Sequence, residues 1–301
     1  MKLTQIILCL TSLLVSLVGL ELFAGYQSYQ QTKLRPPVYI ADPILGFRLK
    51  TGFRDHKTYS YQKPPNTTRI LMLGDSFTQG DEVPIDKTFS KLLETKLNAQ
   101  ANRAYEVINA GVRGSGSLQQ YLWFKNQGLK FNPDLVILNF YLGNDITDAL
   151  MFNIATDSAG LATKLTLKDT YVDNQGYLRR IRSHFSLCDL SAFCRLYLRP
   201  KSKSINWDST AWQITQRHLL AIKSLAENNR SQFILTLIPE ASLVDSPIHQ
   251  ILLDFAQTNN LKLIDFTPGL DRSMYDTFDR HWNQTGHQLA AGVLYEYFLS
   301  L

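Results

Sequence analysis

Short runs of consecutive apolar residues alternate along most of the chain with longer stretches in which apolar positions recur every three or four residues. Ile70-Leu71-Met72-Leu73 and Leu135-Val136-Ile137-Leu138 are runs of the first kind, the pattern of strands buried on both faces. Tyr105–Ala110, Phe233–Ile238 and Leu261–Phe266 complete the set of predicted strands. Between them, Phe89, Leu92, Leu93 and Leu97 mark one helix face, with Asp86 ahead of it as cap. Leu118, Tyr121, Leu122, Lys125 and Leu129 predict a helix over Ser117–Leu129, and Trp212, Thr215, Leu219 and Ile222 predict another. Ser246-Pro247 has the cap-then-proline order of a helix start, and Thr285 opens a last helix that runs to the end of the chain. Strands alternating with helices imply parallel pairing through right-handed crossovers. The expected fold is therefore α/β: a three-layer α/β/α sandwich of about five parallel strands, flavodoxin-like in order.

The rhythm is broken in three places. Ile6 to Leu20 is almost wholly apolar, with Lys2 before it and Glu21 after it. This length lies between a cleaved signal peptide and a full membrane span. No clean small-x-small cleavage site follows, so residues 1–26 read as a signal anchor or transmembrane helix. Residues 27–65 lack a period and carry Pro36, Pro37, Pro43, Pro64 and Pro65, as expected for a juxtamembrane linker with short extended pieces. Residues 66–301 form the main domain, interrupted at about 146–210 by an insertion of scattered aromatics and polar loops, the candidate lid or substrate surface.

Composition narrows the class. Apolar residues make up 45% and charged residues 19% of the 301, a globular mix. Lys and Arg exceed Asp and Glu by 31 to 26, a formal charge of +5 with no long basic run, so no nucleic-acid partner is expected. Cys9 lies in the apolar N-terminus; Cys188 and Cys194 lack zinc-type spacing and read either as a pair in an oxidising compartment or as two separate thiols. Asn66, Asn229 and Asn283 head Asn-x-Ser/Thr triplets, which arise easily by chance. No metal or organic cofactor is implied.

In sheets of this type the functional loops follow the carboxyl ends of the strands. After the first predicted strand comes Gly74-Asp75-Ser76-Phe77-Thr78, a serine on a tight turn whose own N–H can face a bound oxyanion. After the second comes Gly111-Val112-Arg113-Gly114, where glycine lets a backbone N–H approach a ligand. After the third comes Gly143-Asn144-Asp145, with an amide able to donate. After the fifth comes Asp279-Arg280-His281-Trp282-Asn283, in which residues two apart point the same way, so that Asp279 can fix the His281 tautomer. Trp282 is expected to pack beside the site, and His287 to be structural or on the surface.

These four blocks resemble, in order and in place, those of the SGNH (GDSL-like) hydrolase superfamily, and in particular a membrane-anchored branch of it. The resemblance spans roughly residues 69–145 and 212–301. It implies Ser76 as nucleophile, His281 as general base, Asp279 as its orienting acid, and an oxyanion hole from Ser76 N–H, Gly114 N–H and the Asn144 side chain. The chain departs from the family in one respect: a single residue separates Asp279 from His281, where most members have two. That shorter spacing is similar to that of polysaccharide O-acetylation relatives. The implied activity is a serine esterase that removes acyl, notably acetyl, groups from a carbohydrate or lipid ester. Its alternatives are an O-acyltransferase acting on a cell-surface polysaccharide and a non-catalytic glycan-binding domain. The implied location is the membrane, with the domain on the extracytoplasmic side. From another class, a phosphate-binding α/β module is suggested by Gly111, Gly114 and Gly116, but the glycine spacing differs from the dinucleotide fingerprint and no Walker lysine follows.

Overall fold

The computed structural model describes residues 3–33, 38–54, 57–100, 103–181, 191, 210–240, 247–276 and 280–300. Cys188, Cys194, Ser246 and Asp279 lie outside the described residues. The chain divides into two compact units, Met1–Pro36 with Arg180–Ile205, and Pro37–Arg179 with Asn206–Leu301.

The first unit is dominated by α1 (Leu3–Lys33). Within it, Gln5–Gln27 is long and apolar enough to cross a membrane. At about 1.5 Å per residue its 23 residues span about 35 Å, which exceeds a hydrocarbon core of roughly 30 Å. Leu8, Val15 and Leu22 are about 70% exposed, an apolar surface of the kind a membrane-spanning helix presents. Thr11, Ser12 and Ser16 donate their hydroxyls to carbonyls one turn back, which satisfies the polar groups of the helix internally.

The second unit begins with a hairpin. β1 (Tyr39–Asp42) and β2 (Gly46–Leu49) are antiparallel and bury Tyr39, Phe47 and Leu49. The core elements follow in order: β3 (Thr67–Gly74), α2 (Ser76–Gln79), α3 (Phe89–Gln100), β4 (Ala104–Gly111), α4 (Ser117–Asn126) and β5 (Leu135–Tyr141). Two small hairpins come next, β6 (Phe152–Thr156) with β7 (Ala162–Leu167), and β8 (Thr170–Val172) with β9 (Leu178–Arg180). The chain closes with α5 (Thr210–Asn228), β10 (Gln232–Ile238), α6 (Pro247–Thr258), β11 (Leu263–Asp265) and α7 (Gln284–Leu299).

Five strands form one sheet in the order β11-β10-β5-β3-β4, every pairing parallel. This is the flavodoxin-like order expected from the alternation of strands and helices. Because side chains alternate along a strand, Ile70, Met72 and Ile137 face one layer with Leu93 of α3 and Leu294 of α7. Leu71 faces the other way, onto Gly128 just past α4. Arg69 is fully buried at the amino end of β3: its Nε donates to Glu106 Oε2 of β4 at 2.7 Å, and its backbone N–H to Asp134 Oδ2 ahead of β5 at 2.7 Å. A buried guanidinium with these partners fixes the relative start of three strands.

Three helix boundaries differ from the sequence reading. Asp86 does not cap α3; it lies in a separate 3-10 turn, Ile85–Lys87, and pairs with Lys87 at 2.9 Å. The helix expected over Ser117–Leu129 stops at Asn126 and continues as a 3-10 turn, Gly128–Phe131, which closes on Asn132 in the left-handed region. The last helix starts at Gln284, because the Asn283 side chain accepts from Thr285 N and Gly286 N.

Candidate active site

The site assembles beyond the carboxyl ends of β3, β4 and β5. β3 ends at Gly74, in register with Gly111 of β4. One residue on, Asp75 caps α2 by accepting from Phe77 N at 2.9 Å. Ser76 is therefore the first residue of a one-turn helix, held by the strand behind it and by Gly80, whose left-handed backbone (φ +68) ends the turn. A Cβ on Gly111 would lie 2.6 Å from the Thr78 carbonyl carbon, so glycine at this position lets β4 touch the backbone of α2. Asn109 fastens the same contact, donating to Thr78 O at 2.6 Å and accepting from Gly111 N at 3.0 Å.

The loops then converge. Val112 N and Ser115 Oγ both donate to Gly74 O at 3.1 Å, joining the first block to the second. A Cβ on Gly116 would come within 2.9 Å of Asp145 O, so the second block abuts the third. Gly114 turns with φ +76, a conformation that glycine adopts without strain. Asn144 Nδ2 donates to Asp148 Oδ2 at 2.9 Å, which fixes the plane of its amide.

His281 comes from the last loop. Its Nε2 lies 2.7 Å from Ser76 Oγ. The loop is closed by Asp276 N donating to His281 O at 2.7 Å and by a bridge between Tyr275 and Trp282. The ring packs against Phe77 at 4.8 Å between centroids, and Phe77 in turn rests on the fully buried Trp282. Ser76 retains 5% of its surface and the His281 side chain 13%. A serine hydroxyl this close to an imidazole nitrogen in a dry setting is arranged for proton transfer from oxygen to nitrogen as the oxygen attacks a carbonyl.

Of the residues singled out from sequence, Ser76 and His281 meet directly. Gly114 and Asn144 stand on adjoining loops at the same end of the sheet, and Asp279 lies outside the described residues. The sequence reading missed the charged groups around them. Glu82 Oε1 lies 3.5 Å from His281 Nδ1. Arg113 pairs with Glu82 and, at 3.2 Å, with Asp81. Burial would lower the Arg113 guanidinium, but Glu82 and Asp81 outweigh it and push it up. Burial pushes the Asp75 carboxyl up, opposed by His281 and by the hydrogen bond from Phe77. Burial, reinforced by Asp75, holds Asp145 and Asp148 well above the usual carboxylate range. The Asn144/Asp148 spacing of four was the one trace of this in the sequence; the contact of Glu82 with His281 joins positions 199 apart.

Of the two readings of His287, structural or on the surface, the structure shows the first: it is fully buried, its Nδ1 accepts from Phe89 N at 3.3 Å and its ring stacks on Phe89. His218 has a similar structural place, accepting from Ala162 N of β7 at 3.0 Å. Among the described residues no three His, Cys, Asp or Glu side chains converge as a metal site.

Comparison with known proteins gives one family and a set of distant structures. A family model described as GDSL-like Lipase/Acylhydrolase matches residues 70–294. A two-domain esterase active on acetylated mannans, crystallised with mannopentaose, is 16% identical with a TM-score of 0.48; the match covers 78% of this chain and 49% of that one. This chain thus spans about half the length of that esterase. The psychrotrophic esterase EstA from Pseudoalteromonas is 15% identical, with a TM-score of 0.46, over 78% of this chain and 97% of that one. The lipase/acylhydrolase from Enterococcus faecalis is 15% identical, with a TM-score of 0.46, over 77% and 96%. No curated protein matches the chain.

Proposed function

Since the chain belongs to the GDSL-like lipase/acylhydrolase family, a family of ester-bond hydrolases, we propose that Ser76 is its nucleophile and His281 its general base. The observation that carries this reading is the 2.7 Å contact between Ser76 Oγ and His281 Nε2. Ser76 Oγ attacks the ester carbonyl while His281 takes its proton. The tetrahedral oxyanion is met by Ser76 N–H, Gly114 N–H and the Asn144 amide, and one such donor is typically worth roughly 3 kcal/mol. Collapse expels the alcohol, protonated by His281, and leaves an acyl-enzyme that water cleaves by the reverse proton path.

The substrate we propose is an acyl ester, notably an acetyl ester, of a carbohydrate or lipid at the membrane to which α1 anchors the enzyme. Transfer to a sugar hydroxyl is the second reading, favoured by the single residue between Asp279 and His281. The test is turnover of p-nitrophenyl acetate by wild type, Ser76→Ala and His281→Ala, with and without an acceptor oligosaccharide. Wild-type turnover lost by at least about 10³-fold in both variants supports the mechanism. Acetylated sugar in place of acetate identifies the transferase. Variants that keep wild-type rates refute it.

A further inference from the structure

Among the described residues, a carboxylate near the outer nitrogen of His281 belongs to the loop that follows α2. Glu82 Oε1 is 3.5 Å from Nδ1, while Ser76 Oγ is 2.7 Å from Nε2, so the imidazole lies between a hydroxyl and an acid. Only 4% of the Glu82 side chain is exposed, so its charge acts on the ring with little screening. The carboxylate is also braced. Arg113 pairs with Glu82 and, 3.2 Å away, with Asp81; Gln79 Nε2 donates to Asp81 Oδ2 at 2.7 Å; Arg113 N donates to Gln79 Oε1 at 2.6 Å. Arg54 closes the outer side, with Nε 3.4 Å from Asp81 Oδ1. Two guanidinium and two carboxylate groups thus form a framework whose inner corner is Glu82.

We infer that Glu82 is a positioning residue for His281, its carboxylate braced by Arg113 so that it holds the Nδ1–H tautomer and stabilises the imidazolium formed when Ser76 attacks. The inference rests on the reading of Ser76 and His281 as nucleophile and base, and it adds Glu82 to the role that the sequence resemblance implies for Asp279. Among the described residues, Asp75 at the head of α2, Arg113 behind Glu82 and His287 on α7 are further titratable and charged groups near the ring.

The experiment compares full-length enzyme in detergent with Glu82→Gln, Asp279→Asn, Arg113→Met and Ser76→Ala, measuring kcat and KM for p-nitrophenyl acetate from acid to alkaline pH. Glu82→Gln is expected to lower kcat by about 10²-fold or more with KM little changed. It is also expected to move the acidic limb of kcat/KM to lower pH, because an imidazolium without its carboxylate loses its proton more readily. Arg113→Met leaves Glu82 in place without its counter-charge, so its limb moves to higher pH. Disturbed packing alone would not shift the two limbs in opposite directions. If Glu82→Gln fails to fold, the limb of Arg113→Met decides: an upward shift supports the assignment and an unmoved limb overturns it. A folded Glu82→Gln with wild-type kcat and limb, beside an Asp279→Asn that carries the loss, overturns it as well. Ser76→Ala that still turns over would instead remove the reading beneath it, whatever Glu82 does.

Discussion

At the scale of single residues, a half-buried and a fully buried histidine show how one side chain can be used in opposite ways. His281 faces a serine on one side and a carboxylate on the other. His287 is stacked on Phe89 and enclosed, and burial, with Arg54 and His281 adding to it, pushes its pKa down to about 3. Below about pH 6.5 the unfolded chain binds a proton at this residue that the folded protein refuses, so stability falls as pH drops from about 6.5 toward 3 and is unaffected above that window. In chemical denaturation His287→Leu is expected to lack this slope: its stability relative to wild type should rise by roughly tenfold in equilibrium constant per pH unit within the window. A constant offset from pH 7 to 4 would show that His287 does not set the slope. Ser76 and His281, which meet in the structure, and Gly114 and Asn144, proposed with them, could be singled out from sequence because they lie in loops beyond the strand ends, where such sheets place their ligand loops. Glu82 and Arg113 could not, since an exposed surface run and a buried charge framework have the same sequence until the loops are brought together.

At the scale of elements, the close approach of β4 to α2 decides where the serine stands. Gly111 is the position that permits it. Gly111→Ala is expected to cost about 1–3 kcal/mol in urea denaturation, since the added methyl meets backbone that cannot rotate away. It should also depress activity by displacing α2. An alanine variant with wild-type midpoint and rate would show that α2 is not held from this side. Of the five sheet strands, β3 and β5 were legible from the unbroken apolar runs Ile70–Leu73 and Leu135–Leu138, while β4, β10 and β11 carry polar residues such as Glu106, Thr236 and Asp265 and were placed by their alternation with helices, from which the parallel pairing also followed. Helix starts were less legible: Asp86 has the chemistry of a cap, yet Pro84 and the 3-10 turn Ile85–Lys87 use it upstream, and α7, expected to open at Thr285, starts at Gln284 under an Asn283 cap. The β1–β2 hairpin was lost among prolines because four-residue strands show no period.

At the scale of the whole molecule, one helix among the described residues, at the N-terminus, is long and apolar enough to span a bilayer, and it precedes a unit with its own sheet and core. We propose that α1 stays attached as an anchor and that the enzyme domain lies on the extracytoplasmic side. A reporter active only outside the cytoplasm, fused after Leu301, is expected to work, and the full chain is expected to resist extraction by alkaline carbonate. A fusion that works only in the cytoplasm would reverse the orientation; a shortened, extractable chain would show that the segment is removed. The apolar run from Ile6 to Leu20 made this helix readable in the sequence, while its charges, Lys2 on one side and Lys33 and Arg35 on the other, left the orientation unspecified.

The central claim is that Ser76 forms a covalent bond with the acyl group. Labelling the full-length enzyme with a fluorophosphonate and mapping the adduct by peptide mass tests it most directly. The expected result is one adduct per chain, on Ser76, formed rapidly by wild type and at least about 10³-fold more slowly by His281→Ala. A folded enzyme that hydrolyses p-nitrophenyl acetate while carrying the adduct elsewhere, or none, would contradict the account.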